Sequence, residues 1–144
     1  MGLFKKKDPT VMSHGPVEVN LVTLNDALPG VPANTTVKVT MLVSELRFNP
    51  AYMKTTIHLP IEQITGWRAV SPADSRAMSE LDIQIGIPKQ VGALRVLDFV
   101  TSQGEPLQVV FADFGNFRIG EIDKRLIALI PSVEEQEPPS DITL

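Results

Sequence analysis

The sequence predicts a mainly β domain closed by one C-terminal α-helix, and three observations lead there. Twelve prolines punctuate the 144 residues, and only 107–130 runs longer than 17 residues without one. A proline inside a helix costs ~3 kcal/mol, which excludes a helical bundle over most of the chain. Apolar and polar residues alternate through several proline-bounded stretches, the period of strands with one buried face. The long proline-free stretch changes period: Ile119, Ile122, Leu126, Leu129 and Ile130 share one helical face.

Taken in order, residues 1–16 read as a flexible basic leader with little to bury. Val17 to Val22 alternates as a first strand, and 25–35, with two prolines and a glycine, reads as a loop. Val37, Val39 and Met41 mark a second strand. After a turn around Ser44 and Glu45, Leu46 to Phe48 continues extended, and Asn49-Pro50 turns again. Thr55 to Trp67 is the clearest extended region. Ile57, Leu59, Ile61 and Ile64 fall near one face, with His58, Glu62 and Gln63 away from it. Pro60 places part of this segment at a sheet edge.

A short helix is expected after Ser71, with Ser71 as cap, Pro72 in the first helical position and Asp74 three residues after the cap. Leu81 to Ile85 then alternates like a strand. Strands over 93–101 and 107–111 form a hairpin around 102–106. In the last helix, 119–130, Glu121 and Asp123 come early and Lys124 and Arg125 later, as the helix dipole favours. Pro131 ends it, and the acidic segment 132–144 reads as a disordered tail. One domain, 17–131, lies between leader and tail, and a chain of this size needs no staples.

The net charge of −4 is unevenly placed. Residues 1–8 sum to +2, 132–144 to −4, and 9–131 holds ten basic against twelve acidic residues. No part has the basic footprint of a nucleic-acid binder. The absence of cysteine excludes disulfides, thiolate metal sites and cysteine nucleophiles. No apolar run approaches the ~20 residues of a membrane span, and the start turns charged too early for a secretory signal, so a cytoplasmic protein is expected.

No catalytic constellation emerges. His14 sits in the leader and His58 on the polar side of its strand, too far apart in sequence for a chelating helical pair. Glu62, Asp82, Asp98 and Asp113 are scattered and suit solvated strand faces; their convergence into a small carboxylate-based enzyme site is the remaining, disfavoured alternative. Asp113-Phe114-Gly115 matches a kinase magnesium motif without the loops that go with it. The sequon at Asn34 has no meaning without secretion. Neither enzyme activity nor a metal or cofactor is expected. Phe48 and Tyr52 flank the Asn49-Pro50 turn and Trp67 stands at a strand end. Core or rim packing accounts for these three, and a partner surface is the functional alternative.

The stretches LPGVPANTTVKVTMLVSELRF and TTIHLPIEQITGW within 28–67, and LRVLDFVTSQGEPLQVVFADF followed by the 119–130 helix, carry a resemblance. Their pattern resembles the pleckstrin-homology-like superfold, specifically bacterial PH-like or GRAM-like domains, over somewhat more than half the chain. Residues 71–92 depart from that pattern. The resemblance implies a barrel of two curved antiparallel sheets capped by the amphipathic helix. It also implies exposed strand edges able to accept a protein partner, or a second copy in a homo-oligomer. Phosphoinositide binding does not carry over, because the loop 25–35 contains Asp26 and no Lys or Arg. A second expectation rests on the leader, where Leu3 and Phe4 precede Lys5, Lys6 and Lys7. These would give weak, salt-sensitive contact with an anionic membrane at its inner face, at ~1 kcal/mol per lysine. Lys6 breaks the myristoylation pattern.

Overall fold

The computed structural model describes residues 16–129; the readings of the leader and the tail fall outside them. Seven strands and two helices follow one another as β1 (Val17–Thr23), β2 (Thr36–Met41), β3 (Glu45–Pro50), β4 (Ile57–Pro60), β5 (Ile64–Val70), α1 (Ser75–Ser79), β6 (Ala93–Val100), β7 (Pro106–Asp113) and α2 (Ile119–Leu129). The mainly β class and the C-terminal helix are as the sequence predicts. All strands pair antiparallel in one sheet, in the order β4-β3-β2-β1-β7-β6-β5. The sheet is single rather than double and is not closed into a barrel; β4 and β5 are its edges.

The sheet nonetheless folds over on itself. Phe48 of β3 and Phe111 of β7 stack with ring centroids 6.1 Å apart. Three strand spacings would separate those strands by ~14 Å in a flat sheet. One apolar core draws on every strand, with Val19, Val39, Phe48, Leu59, Trp67, Leu97 and Phe111 among its members. The two edges are consecutive in the chain, joined only by a 3₁₀ turn, Ile61–Gln63. The single extended region expected over 55–67 therefore splits at a corner. A register shift between Ile64 and Gly66 restores the parity that brings both Ile64 and Trp67 to the core side.

Strand β1 meets β7 through Val22 and Thr23 only. Helix α2 packs against β1 and β5. Ile119, Ile122 and Leu126 are buried there, each worth ~1.5–3 kcal/mol before side-chain entropy is subtracted. Asn116 fixes the approach to this helix, donating from Nδ2 to the Asn20 carbonyl at 2.8 Å.

Residues 71–92 correct two expectations. The cap of α1 is Asp74, whose Oδ1 accepts from the Ala77 N–H at 3.1 Å, while Ser71 Oγ accepts from the Ala73 N–H one turn earlier. Leu81 to Ile85 is extended but pairs with no strand among the described residues. Its alternation has another cause. Leu81, Ile83, Ile85 and Ile87 lie half-buried on a second apolar cluster, formed by the outer face of β5–β7 with Val70, Leu94, Val96, Val110 and Ala112. The segment is an arm laid across that face. Three bonds pin it: Gln84 N–H to the Leu24 carbonyl at 2.8 Å, Asn25 Nδ2 to the Asp82 carbonyl at 2.9 Å, and Gln84 Nε2 to Asp26 Oδ1 at 2.9 Å.

Candidate binding site at the free edge of the sheet

Beside β4 the folded sheet leaves an apolar pocket of about 150 Å³. Leu28 and Pro29 from the β1–β2 loop, Phe48 of β3, Ile57 and Leu59 of β4, and Phe99 of β6 form its walls. His58, Gln63, Thr101 and Ser102 supply the polar lining. Both faces of β4 contribute, through Ile57 and Leu59 on one side and His58 on the other, so the pocket opens at the free edge of that strand.

Each wall is held in place. Phe48, fully buried, is stacked on Phe111 at an interplanar angle of 15°. Gln63 donates from Nε2 to the Val100 carbonyl at 3.0 Å, tying the corner turn to the end of β6. The hairpin tip is closed by Gly104, at φ +87°, whose N–H reaches the Thr101 carbonyl at 2.9 Å. Leu28 and Val31 bury themselves in the core and draw the β1–β2 loop over the opening.

Outside the pocket a polar row crosses the sheet. Glu18, Thr40, Arg47 and His58 stand directly opposite one another on β1, β2, β3 and β4. Together with Pro16, Lys38 and Asn49 they line an open groove that ends at His58. Glu45 organises its far end, lying 2.7 Å from His58 Nδ1 and 3.1 Å from Arg47 Nε. The His58 hydrogen bond, with a smaller part from Arg47, holds the Glu45 carboxyl below its ordinary range. His58 lies on the polar side of its strand, as the sequence predicts, but is engaged rather than only solvated.

The three aromatic candidates separate. Phe48 and Trp67 face the interior, and only Tyr52, at φ +64°, projects fully into solvent. Trp67 holds α2: its indole N–H donates to Asp123 Oδ1 at 2.6 Å, and Arg95 grips the same carboxylate through Nε and Nη2, both at 3.1 Å. Leu3, Phe4, Lys5, Lys6, Lys7 and His14 lie outside the described residues.

The four carboxylates do not converge. Asp98 pairs with Arg68 at 2.9 Å and accepts from Gln108; Asp82 is tied to Gln84. Asp113 is buried instead of solvated, and its Oδ1 accepts from the N–H groups of Gly115 and Asn116 and from Asn116 Nδ2. No group of three or more His, Asp or Glu able to hold a metal occurs among the described residues. None of their helices is long and apolar enough to cross a membrane.

Sequence reasoning missed Leu28, Phe99 and Ser102, which come from segments up to 74 residues apart. It also passed over Phe114 and Phe117, both exposed on the turn that Asp113 braces. No protein-family model matches the chain, and no curated protein matches it significantly in sequence.

Proposed function

We propose that the chain is a non-enzymatic, PH-like binding module that takes up an extended segment of a protein partner along the free edge of β4. One apolar side chain of that segment occupies the adjoining pocket. The observation that carries this reading is the placement of an apolar pocket of about 150 Å³ at the mouth of an unpaired edge strand. A cavity of that volume holds one aromatic ring, the size of a benzene, and not a drug-sized ligand. An edge strand offers the backbone hydrogen bonds of strand addition, and a neighbouring pocket supplies side-chain selectivity. Pro60, which has no N–H, limits the added strand to a short register. The lining supports binding, since its walls are mostly apolar, formed by Leu28, Pro29, Phe48, Ile57, Leu59 and Phe99.

Selection of peptides from a random displayed library on the intact chain tests this. Enriched peptides are expected to share one large apolar residue in an extended context. Ser102→Trp, which fills the pocket rim from an exposed position, is expected to weaken them by about tenfold or more, or ~1.4 kcal/mol. Peptides that bind Ser102→Trp as well as the parent would overturn the reading. Light scattering on the same samples separates a foreign partner from a second copy of the chain.

A further inference from the structure

We infer that the outer face of α2 is a seam on which a second copy of the chain docks, helix against helix and antiparallel. The seam shares no residue with the pocket beside β4 and does not depend on it.

A braced turn leads into this face. Asp113 Oδ1 accepts from the N–H groups of Gly115 and Asn116, and Asn116 Nδ2 holds the Asn20 carbonyl. The Ile119 N–H bonds the Asn116 carbonyl at 3.1 Å, so Phe117 sits in a turn that continues into α2. Ile119, Ile122 and Leu126 point into the domain. Phe117, Gly120, Lys124 and Ile127 follow at intervals of three, four and three, and share one stripe on the side turned away from it. That is the a–d–a–d spacing of a coiled-coil seam. Phe117 and Ile127 keep 94% and 69% of their exposure, and with Tyr52 they are the most exposed large apolar side chains among the described residues.

The stripe is complementary to itself in one direction. Phe117 with Ile127, and Gly120 with Lys124, are both centred on the level of Ile122. A two-fold axis there satisfies both pairs at once, as an isologous interface requires. Phe117 meets the partner's Ile127, apolar on apolar, and the stem of Lys124 lies over the partner's Gly120. Glycine weakens a helix, and nothing within the protomer demands it at this position. A Cβ on Gly120 would meet no atom within 4 Å, and its φ is not positive. A seat for a neighbour's side chain gives that glycine a reason. A parallel pair would instead set Lys124 against the partner's Lys124, like charge on like charge, and would align the helix dipoles. With so few apolar side chains the contact belongs to the small, transient class, below ~1,200 Å².

Sedimentation equilibrium of the intact chain, from about 10 μM to about 1 mM, should show a reversible monomer–dimer equilibrium. Ile127→Glu, at an exposed position, should weaken it at least about tenfold without moving the urea midpoint. A monomer across the whole range would overturn the inference. So would a dimer that Ile127→Glu leaves intact, which would shift self-association to another surface such as the β4 edge. Direction has its own test, because the chain contains no cysteine. Phe117→Cys mixed with Ile127→Cys should cross-link on mild oxidation at least about tenfold faster than either variant alone, since like positions stand ~15 Å apart along the helix axis. The mixed pair retains one Phe117–Ile127 contact at its other end. Cross-linking of Phe117→Cys alone at the same rate would overturn antiparallel docking. Peptides selected on the pocket should bind Ile127→Glu as they bind the parent, and a loss of that binding would count against a separate seam.

Discussion

The two halves of the sheet share one inner core but differ on their outer faces. On β1 every second residue is buried; of the residues between them Glu18 and Asn20 are exposed, and Val22, next to β7, is half-buried against the outer cluster. On β6 and β7 burial is continuous, from Leu94 to Leu97 and from Val109 to Asp113. The first half meets water on its outer side; the second lies beneath the arm 81–91. A strand apolar on both faces requires a second layer. Here an arm without strand partners supplies it, at the cost of few backbone bonds. The uncovered half is left free to carry the polar row and the binding edge.

The sharpest way to break this contrast is to strip the arm. Ile83→Ser with Ile85→Ser should destabilise the domain by about 3 kcal/mol, because each half-buried side chain leaves an apolar face and a hydroxyl replaces it. Urea unfolding followed by Trp67 fluorescence measures this. A loss near zero would mean the arm does not function as a layer. Asn25→Ala tests the pin beneath it. Asn25 is fully buried; Nδ2 donates to the carbonyls of Asp82 and Gln108, at 2.9 and 3.1 Å, and Oδ1 accepts from the Val110 N–H. Removing the amide leaves those groups unpaired, for a loss of about 2 kcal/mol. Hydrogen exchange should quicken first at Gln84, whose N–H bonds Leu24 next door.

The strands of both halves are readable in the sequence, whereas the arm, the cap and the pocket are not. Strands β1 to β3 and the β6–β7 hairpin follow from alternation and turn residues, and α2 from the spacing of Ile119, Ile122 and Leu126. Leu81 to Ile85 misled because period-two burial signals an extended chain on an apolar surface. It does not say whether a ladder partner exists. The cap moved from Ser71 to Asp74 because both can accept from an N–H two or three residues on, and only the helix register chooses. The parity shift at β5 was missed, although Gly66 within the run Ile64-Thr65-Gly66-Trp67 is the kind of residue that marks a bulge. The pocket was hidden for a different reason. Its walls come from the β1–β2 loop, β3, β4, the corner turn and the end of β6, and only the folding-over of the sheet joins them. Phe48 was singled out as an aromatic at a turn, but whether it faced solvent or core depended on β7 returning above β3.

The smallest expected effect lies on the uncovered face and makes the contrast quantitative. Glu45→Gln removes the carboxylate that bonds His58 and Arg47, in a site whose side chain keeps 21% of its exposure. Half-exposed pairs of this kind are worth about 0.5 kcal/mol, well below the arm substitutions. The pH dependence identifies the source. The folded chain holds the Glu45 carboxyl below its ordinary value of 4.5, chiefly through the His58 hydrogen bond. Acid therefore protonates the unfolded chain first. The contribution is fully present above the ordinary carboxylate value and is lost as pH falls through the lower folded value. Parent and Glu45→Gln should thus differ in urea midpoint near neutral pH, converge below about pH 4 and coincide in stronger acid. A cost as large as that of the arm variant, or one that persists in acid, would show that the outer face of β1–β4 is supported by more than a solvated ion pair, and the distinction between the two halves would fail.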